Sequence, residues 1–371
     1  MAVLIGTPGN DRLIAPDARE NDSIAGDAGD DFIEARGGDD RITPGPGNDR
    51  VEGGDGRDTV IVSGDISQTE VYRYNNEGVL RGPDGVDTLL DVEAVQFTGV
   101  GGTLEMSDAN SFLSYSYIAS YGDLTEAYGA DAGAGWRHFR DFGAVEGREI
   151  TFNGNAYLAA NTDVLSALGA NADESGARHY LEYGRFEGRT TEFAALSYTA
   201  SYGELIDSFG TDTIAATAHF VQEGFNEGRG ISFNGLEYVA SYGDLIDAYG
   251  DAERPFDLGE DGAGHYIQYG RGEGRETTFD GLQYMASYGD VIEAFRDSTD
   301  AGAYDTIGAL HYIRDGFGEE RVADRFNEQS YAAANGDLAE AGITSADALA
   351  LHWIQYGYEK GRAGAYDPVI A

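Results

Sequence analysis

The sequence predicts a multidomain chain of α and β structure: an N-terminal coil of short strands with capping strands, followed by an array of six two-helix repeats. Three observations predict it. A nine-residue period runs over residues 6–62, a period of 40 to 47 residues runs over 115–364, and a stretch rich in β-formers lies between them. The 371 residues exceed what one compact core serves. The expected units are 1–65 (coil), 66–110 (its β-rich cap), 111–365 (helical repeats) and 366–371 (tail).

The coil is read unit by unit. Gly6-Thr-Pro-Gly-Asn-Asp-Arg-Leu-Ile comes first, then a degenerate unit ending Asn21-Asp-Ser-Ile-Ala. Gly26-Asp-Ala-Gly-Asp-Asp-Phe-Ile-Glu, Ala35-Arg-Gly-Gly-Asp-Asp-Arg-Ile-Thr, Pro44-Gly-Pro-Gly-Asn-Asp-Arg-Val-Glu and Gly53-Gly-Asp-Gly-Arg-Asp-Thr-Val-Ile follow. Asp11, Asp22, Asp31, Asp40, Asp49 and Asp58 hold the sixth position, and Leu13, Ile24, Ile33, Ile42, Val51 and Val60 stand two residues later.

Glycine at the first and fourth positions permits φ > 0 and turns backbone carbonyls inward. The Asp adds a carboxylate, and the aliphatic on a three-residue strand points into a thin core. Each nine-residue unit makes half a coil, so turns 18 residues apart stack: Asp22 on Asp40, Asp31 on Asp49, Asp40 on Asp58. Asp11 and Asp31 are 20 apart because of a two-residue insertion, which weakens the expectation of a site there. Carboxylates and oxygen-rich turns suit hard Ca²⁺. The candidate ligands are the six aspartates with Gly9, Gly29, Gly38, Gly47 and Gly56, for three to four ions.

These units resemble the RTX (repeats-in-toxin) calcium-binding repeats, consensus G-G-x-G-x-D-x-U-x. The resemblance covers about residues 6–65 and implies a parallel β-roll that folds on meeting extracellular calcium, with export by type I secretion. Ala35 and Pro44 depart from the first-position glycine, and the second unit lacks glycines.

In residues 66–110, Thr69-Glu-Val-Tyr-Arg-Tyr alternates as a strand, and Val86 to Phe97 is rich in β-formers after Gly-Pro-Asp-Gly. Asp87, Leu89, Val92, Glu93 and Phe97 form a D-x-L-x-x-V-E-x-x-x-F pattern. It resembles the strands that cap the roll in secreted RTX proteins, where it covers the open sheet edge.

The helical copies open at Tyr117, Tyr157, Tyr198, Tyr238, Tyr284 and Tyr331, with an acid six residues on: Asp123, Asp163, Glu204, Asp244, Asp290 and Asp337. Every histidine is a repeat histidine (His138, His179, His219, His265, His311, His352), and Arg follows ten residues later at 148, 189, 229, 275, 321 and 362. Each copy is expected to hold two helices: one beginning near the acid and stopping at glycine, one carrying the His. The stretch from Asp251 to Gly262 reads as a variable loop between them. Such units cannot bury a core alone and stack on their neighbours. They resemble the helical H-Y-L-x-x-G-x-x-E-G-R repeats of bacterial extracellular proteins, a resemblance that supplies no activity. One His per copy forms no dense zinc-type cluster. The favoured reading is that His, Arg and acid tie helices together, with metal binding and catalysis as the weaker alternatives.

A net charge of −42 argues against a nucleic-acid partner and against bare anionic membranes. With no cysteine, disulfides and thiolate sites are excluded. No apolar run is long enough to span a bilayer. The N-terminus lacks the basic and apolar regions of a signal peptide, so export is expected without a cleaved leader, and Asp367-Pro-Val-Ile-Ala is compatible with a C-terminal secretion signal. No nucleophile elbow, His-Glu-x-x-His helix or phosphate loop occurs, and no catalytic residue is assigned. The expected function is a secreted or cell-surface calcium-binding structural or adhesive protein, self-associating or meeting cell-surface polysaccharide. A carbohydrate-binding accessory module and an enzyme with an unfamiliar site are the alternatives.

Overall fold

The computed structural model describes residues 1–16, 19–170, 173–251, 254–297 and 301–366. The proposed tail signal at 367–371 lies outside the described residues. The chain divides into two compact units, residues 1–191 and 192–371.

The first unit begins with seven short strands: β1 (Val3–Ile5), β2 (Arg12–Ile14), β3 (Ser23–Ala25), β4 (Phe32–Glu34), β5 (Arg41–Thr43), β6 (Arg50–Glu52) and β7 (Thr59–Val62). Alternate strands pair in parallel, β1-β3-β5-β7 in one sheet and β2-β4-β6 in the other. Ile24 registers with Ile42 and Ile42 with Val60; Ile33 registers with Val51. The two-residue insertion is absorbed between strands, for Leu13 still registers with Ile33 across 20 residues. The aliphatics at position eight face inward: Ile24, Ile33, Ile42, Val51 and Val60 share one buried core, with Leu13 packed at its end. Five fully buried aliphatics on strands of three or four residues make a thin core between the two sheets, which leaves much of the stabilisation to the turns.

After β7 the chain makes an antiparallel excursion through β8 (Glu70–Tyr74), β9 (Glu77–Gly82) and β10 (Gly85–Leu90), then β11 (Ala94–Phe97), β12 (Thr103–Glu105) and β13 (Asn110–Ser111). β10 returns to pair in parallel with β6, and β11 with β7. The stretch from Val86 to Phe97 is therefore two strands on different sheets, extending both parallel stacks by one position. Val79 and Phe112 at the far side of this cap pack with Tyr117, Ile118, Trp136 and Phe139, joining strands and first helices in a second core.

Besides a three-residue helix in copies two and four, at Arg185–Glu187 and Arg271–Glu273, the helical copies hold three main helices each, which corrects the expected two. In the first copy these are Ser114–Ala119, Gly122–Tyr128 and Ala132–His138, and in the fourth Gly235–Ala240, Gly243–Tyr249 and Pro255–His265. The extra helix is the one that carries the opening Tyr. Its start was signalled by Asn or Asp: Asn153, Asn234, Asp280 and Asn327 accept hydrogen bonds from N–H groups two or three residues on. The first and third copies lack such a cap, and the neighbouring copy supplies it. Glu174 accepts from the N–H groups of Tyr115 and Ser116, and Glu260 from those of Leu196 and Ser197. The expected loop at Asp251–Gly262 is mostly helix, since Pro255 opens an 11-residue helix through His265. The longer copy thus has a longer third helix.

Past each His the helix widens into a five-residue π-type turn: Phe139–Gly143, Tyr180–Gly184, Phe220–Gly224, Tyr266–Gly270, Tyr312–Gly316 and Trp353–Gly357. The closing glycine is required because the buried Tyr hydroxyl occupies the space a Cβ would need, Tyr117 against Gly143 and Tyr238 against Gly270. That hydroxyl bonds the repeat histidine's Nδ1 at 2.8 to 3.0 Å for all six histidines. Each repeat Arg pairs with its acid at 2.7 to 2.9 Å, as in Arg148–Asp123 and Arg362–Asp337. The same Arg also pairs with the Glu two residues earlier in five of these, and Lys360 removes that partner from Arg362.

Candidate metal centre

The turns between the parallel strands carry the candidate ligands. Each sixth-position carboxylate reaches back one stacked turn and accepts a backbone N–H: Asp31 Oδ1 from Asp11, Asp40 from Asp22, Asp49 from Asp31 and Asp58 from Asp40, at 2.6 to 2.9 Å. The 20-residue step from Asp11 to Asp31 is built like the 18-residue steps. Position five forms a second ladder of opposite sense that sequence reasoning missed. Asn10, Asn21, Asp30, Asp39 and Asn48 accept from the N–H groups of Asp30, Asp39, Asn48, Arg57 and Val86 on the next turn. The sixth-position ladder satisfies backbone donors that the turns would otherwise bury unpaired, and the position-five ladder pairs exposed ones.

One oxygen of each inner carboxylate remains over. Oδ2 of Asp22, Asp31, Asp40, Asp49 and Asp58 is buried with no hydrogen-bond partner. Each belongs to an Asp exposed by no more than 3%. Burying five carboxylate oxygens without a donor is unfavourable unless a cation meets them. Asp11 differs: its Oδ2 accepts from the Thr7 hydroxyl at 2.9 Å, as befits the end of a column.

Backbone oxygens line the same space. A Cβ at Gly26 would clash with both Pro44 O and Asp31 Oδ2, and one at Gly53 with Asp91 O and Asp58 Oδ2. A first-position glycine therefore leaves room beside a carboxylate and the carbonyl of the next stacked turn. Pro44 can replace glycine because its contribution there is its carbonyl. The fourth-position glycines stack turn on turn, Gly47 against the carbonyl of Gly29 and Gly56 against that of Gly38; Gly29, Gly38, Gly47 and Gly56 have φ between 113° and 154°. Gly9, in the first turn, has no positive φ and packs beneath Gly29. Hard, all-oxygen donors at this density fit Ca²⁺.

Two further carboxylates join the columns. Asp87 Oδ1 accepts from the N–H of Asp49 at 3.0 Å, and Glu93 Oε2 from that of Asp58 at 2.7 Å. They occupy the places that another turn's aspartates would hold. Their signal was the D-x-L-x-x-V-E pattern, in which Leu89 and Val92 mark the inward face; separations of 38 and 35 residues hide them from a nine-residue search.

Burial first, then neighbouring carboxylates, pushes Asp49 up to about 6 and Asp58 to about 7. Asp87 goes up to about 8 for the same reasons, and Asp31 and Asp40 are also raised. Burial and like charge thus disfavour full ionisation of the column, and a cation among these oxygens would favour it.

The RTX calcium-binding nonapeptide repeat (4 copies) matches residues 19–51 and 43–65. No curated protein matches the chain. Among solved structures, the extracellular lipase LipA from Serratia marcescens is similar over 26% of this chain, at 22% identity and a TM-score of 0.15. The matched part spans 14% of that lipase's own length. No helix among the described residues is long and apolar enough to cross a membrane. The buried aspartate columns and the family match coincide, and residues 19–65 carry RTX calcium-binding nonapeptide repeats, a repeat type typical of secreted proteins.

Proposed function

We propose that this chain is a secreted calcium-binding structural or adhesive protein, in which Ca²⁺ folds the N-terminal β-roll and six helical repeats present an interaction surface. The observation that carries the reading is the set of five buried, partnerless Oδ2 atoms in register along the turns. The ligands would be Asp11, Asp22, Asp31, Asp40, Asp49 and Asp58 with turn carbonyls, and Asp87 and Glu93 close the two columns. Each carboxylate-to-N–H step marks one interval between stacked turns, and six such steps join two acidic residues. The three to four ions expected from the nonapeptides alone thereby become as many as six.

When bound, Ca²⁺ would neutralise carboxylates that otherwise repel one another. The chain's own residues do the rest: the position-five ladder holds turn spacing, the aliphatic row excludes water, and the cap covers both sheet edges. Low calcium inside a cell would leave the turns unfolded, and millimolar calcium outside would order them. The reading is of a protein without catalysis, exported by type I secretion. Calorimetric titration with Ca²⁺, together with circular dichroism, tests it: several ions bound with a gain of β-structure is the expected result. Strand content that is the same in chelator and in ~1 mM Ca²⁺ overturns it.

A further inference from the structure

The second repeat system has a surface feature that the calcium reading does not use. Four residues past the histidine, copies one, two, four and six carry an aromatic ring: Phe142, Tyr183, Tyr269 and Tyr356. All four are 54–58% exposed, although large aromatics usually bury their rings. Each lies 5.3 to 5.7 Å from the half-buried imidazole of its own copy.

The imidazole is held in one tautomer. Its Nδ1 faces the hydroxyl of a fully buried Tyr. That hydroxyl keeps its proton, because burial pushes Tyr157 and Tyr238 up to about 12 and raises Tyr117 and Tyr331 as well. Were Nδ1 the donor, the buried hydroxyl proton would lack an acceptor. The Tyr therefore donates to Nδ1, and Nε2 carries the hydrogen. In the third copy an acid takes the aromatic's place, and Glu223 stands 3.7 Å from Nε2 of His219. In the four aromatic copies no acceptor for Nε2–H is present among the described residues. Beside His352, the Asp337–Arg362 pair lies within electrostatic reach and adds polar edges.

We propose that each of these four His–aromatic pairs is a subsite for an uncharged sugar residue of a polysaccharide, the ring stacking on the sugar's C–H face and Nε2–H donating to a hydroxyl or ring oxygen. The chemistry selects the class. A lone exposed ring with one oriented donor is too small for a protein interface, and an imidazole donor has no use for hydrocarbon. The chain's charge of −42 repels polyanions. Weak single contacts repeated along a chain suit a repeating polymer, where avidity supplies the retention.

The test uses the full chain in ~1 mM Ca²⁺ and again in chelator, so that a failed calcium reading is distinguishable from a failed sugar reading. Co-sedimentation with cellulose and chitin, and affinity electrophoresis in a soluble neutral glucan, are run beside alginate as the polyanion. The chain is expected to be held by at least one neutral polysaccharide and not by alginate. The fourfold variant Phe142→Ala, Tyr183→Ala, Tyr269→Ala, Tyr356→Ala should lose roughly tenfold or more in retention with unchanged helical circular dichroism. Glu223→Tyr, which completes a fifth pair, should gain retention, and this variant keeps the test open if the fourfold one folds poorly. No retention on any neutral polysaccharide, retention on alginate alone, or indifference to both variants overturns the proposal.

Discussion

Aspartate does opposite work in the strand and helix regions. In the stacked turns it is buried, without an arginine ion pair among the described residues, and its carboxyl is pushed up: Asp58 to about 7, Asp87 to about 8. In the helical copies it is exposed at the first turn of the second helix, bonded to arginine, and held below the usual range: Asp123, Asp163, Asp290 and Asp337. One residue type thus builds a region of buried carboxylates without a guanidinium partner among the described residues and a region whose exposed carboxylates meet arginine. The lesson is that net charge says little about where calcium acts; desolvation without a guanidinium does.

The largest expected effect follows directly. Chelation should remove the strand signal from residues 1–110 while the helical signal of 192–371 persists. Hydrogen exchange resolved by segment, with and without calcium, would show it, and uniform loss across both regions would erase the contrast. Next is a pair of substitutions within one column. Asp40→Ala leaves the Asp22 N–H unpaired and empties a buried position, at about 1–3 kcal/mol before any ion is lost. Asp11→Ala, at an exposed end satisfied by Thr7, should cost well under half as much. Denaturant midpoints in calcium rank the two.

The pH responses should also diverge. In the turns the native carboxyls keep protons that the unfolded chain has released, so without calcium strand stability falls as pH rises from about 4, the unfolded value, through about 6 to 8 for Asp49, Asp58 and Asp87. In the helices the lowered carboxyls contribute stability above the unfolded value that is lost on acidification, a small effect for exposed pairs. Residual strand content measured without calcium should therefore be higher at pH 5 than at pH 8, with unchanged helices. If both regions gain at the same pH, the opposition fails.

Within the helical region, Gly270→Ala forces a methyl into the Tyr238 hydroxyl and should cost about 1–3 kcal/mol, whereas Gly272→Ala, with open space around it, should be near neutral. Thermal melts compare them. The smallest effect is favourable. The fifth copy places Glu320 at φ 56°, where other copies use glycine, such as Gly147 at 70° and Gly274 at 70°. Glu320→Gly should stabilise by about 1 kcal/mol.

Much of the strand region was legible because a period is geometry: nine residues per half coil dictates that Asp22 meets Asp40 and that Ile24 and Ile42 share a face. Asp87 and Glu93 escaped because the chain detours through β8 and β9 before rejoining the stacks, and a detour has no period. The helix that carries each opening Tyr escaped for a different reason. It is only six or seven residues long, and in two copies its cap comes from Glu174 or Glu260, roughly 60 residues away. The acids, histidines and arginines were found as a pattern and read as ties between helices. That the histidine's own partner is the opening Tyr could not be seen from spacings of 21 to 27 residues.

By itself the sequence determined the two periods, the inward aliphatics and the residue types at each turn, because local backbone geometry and side-chain alternation are written in neighbouring residues. Only the tertiary structure decided which carboxylates would be stripped of water and left without a donor, and which would meet an arginine. That distinction depends on burial and on the position of groups distant in the chain, and it makes acidic repeats a candidate cation site in one region and helix ties in the other.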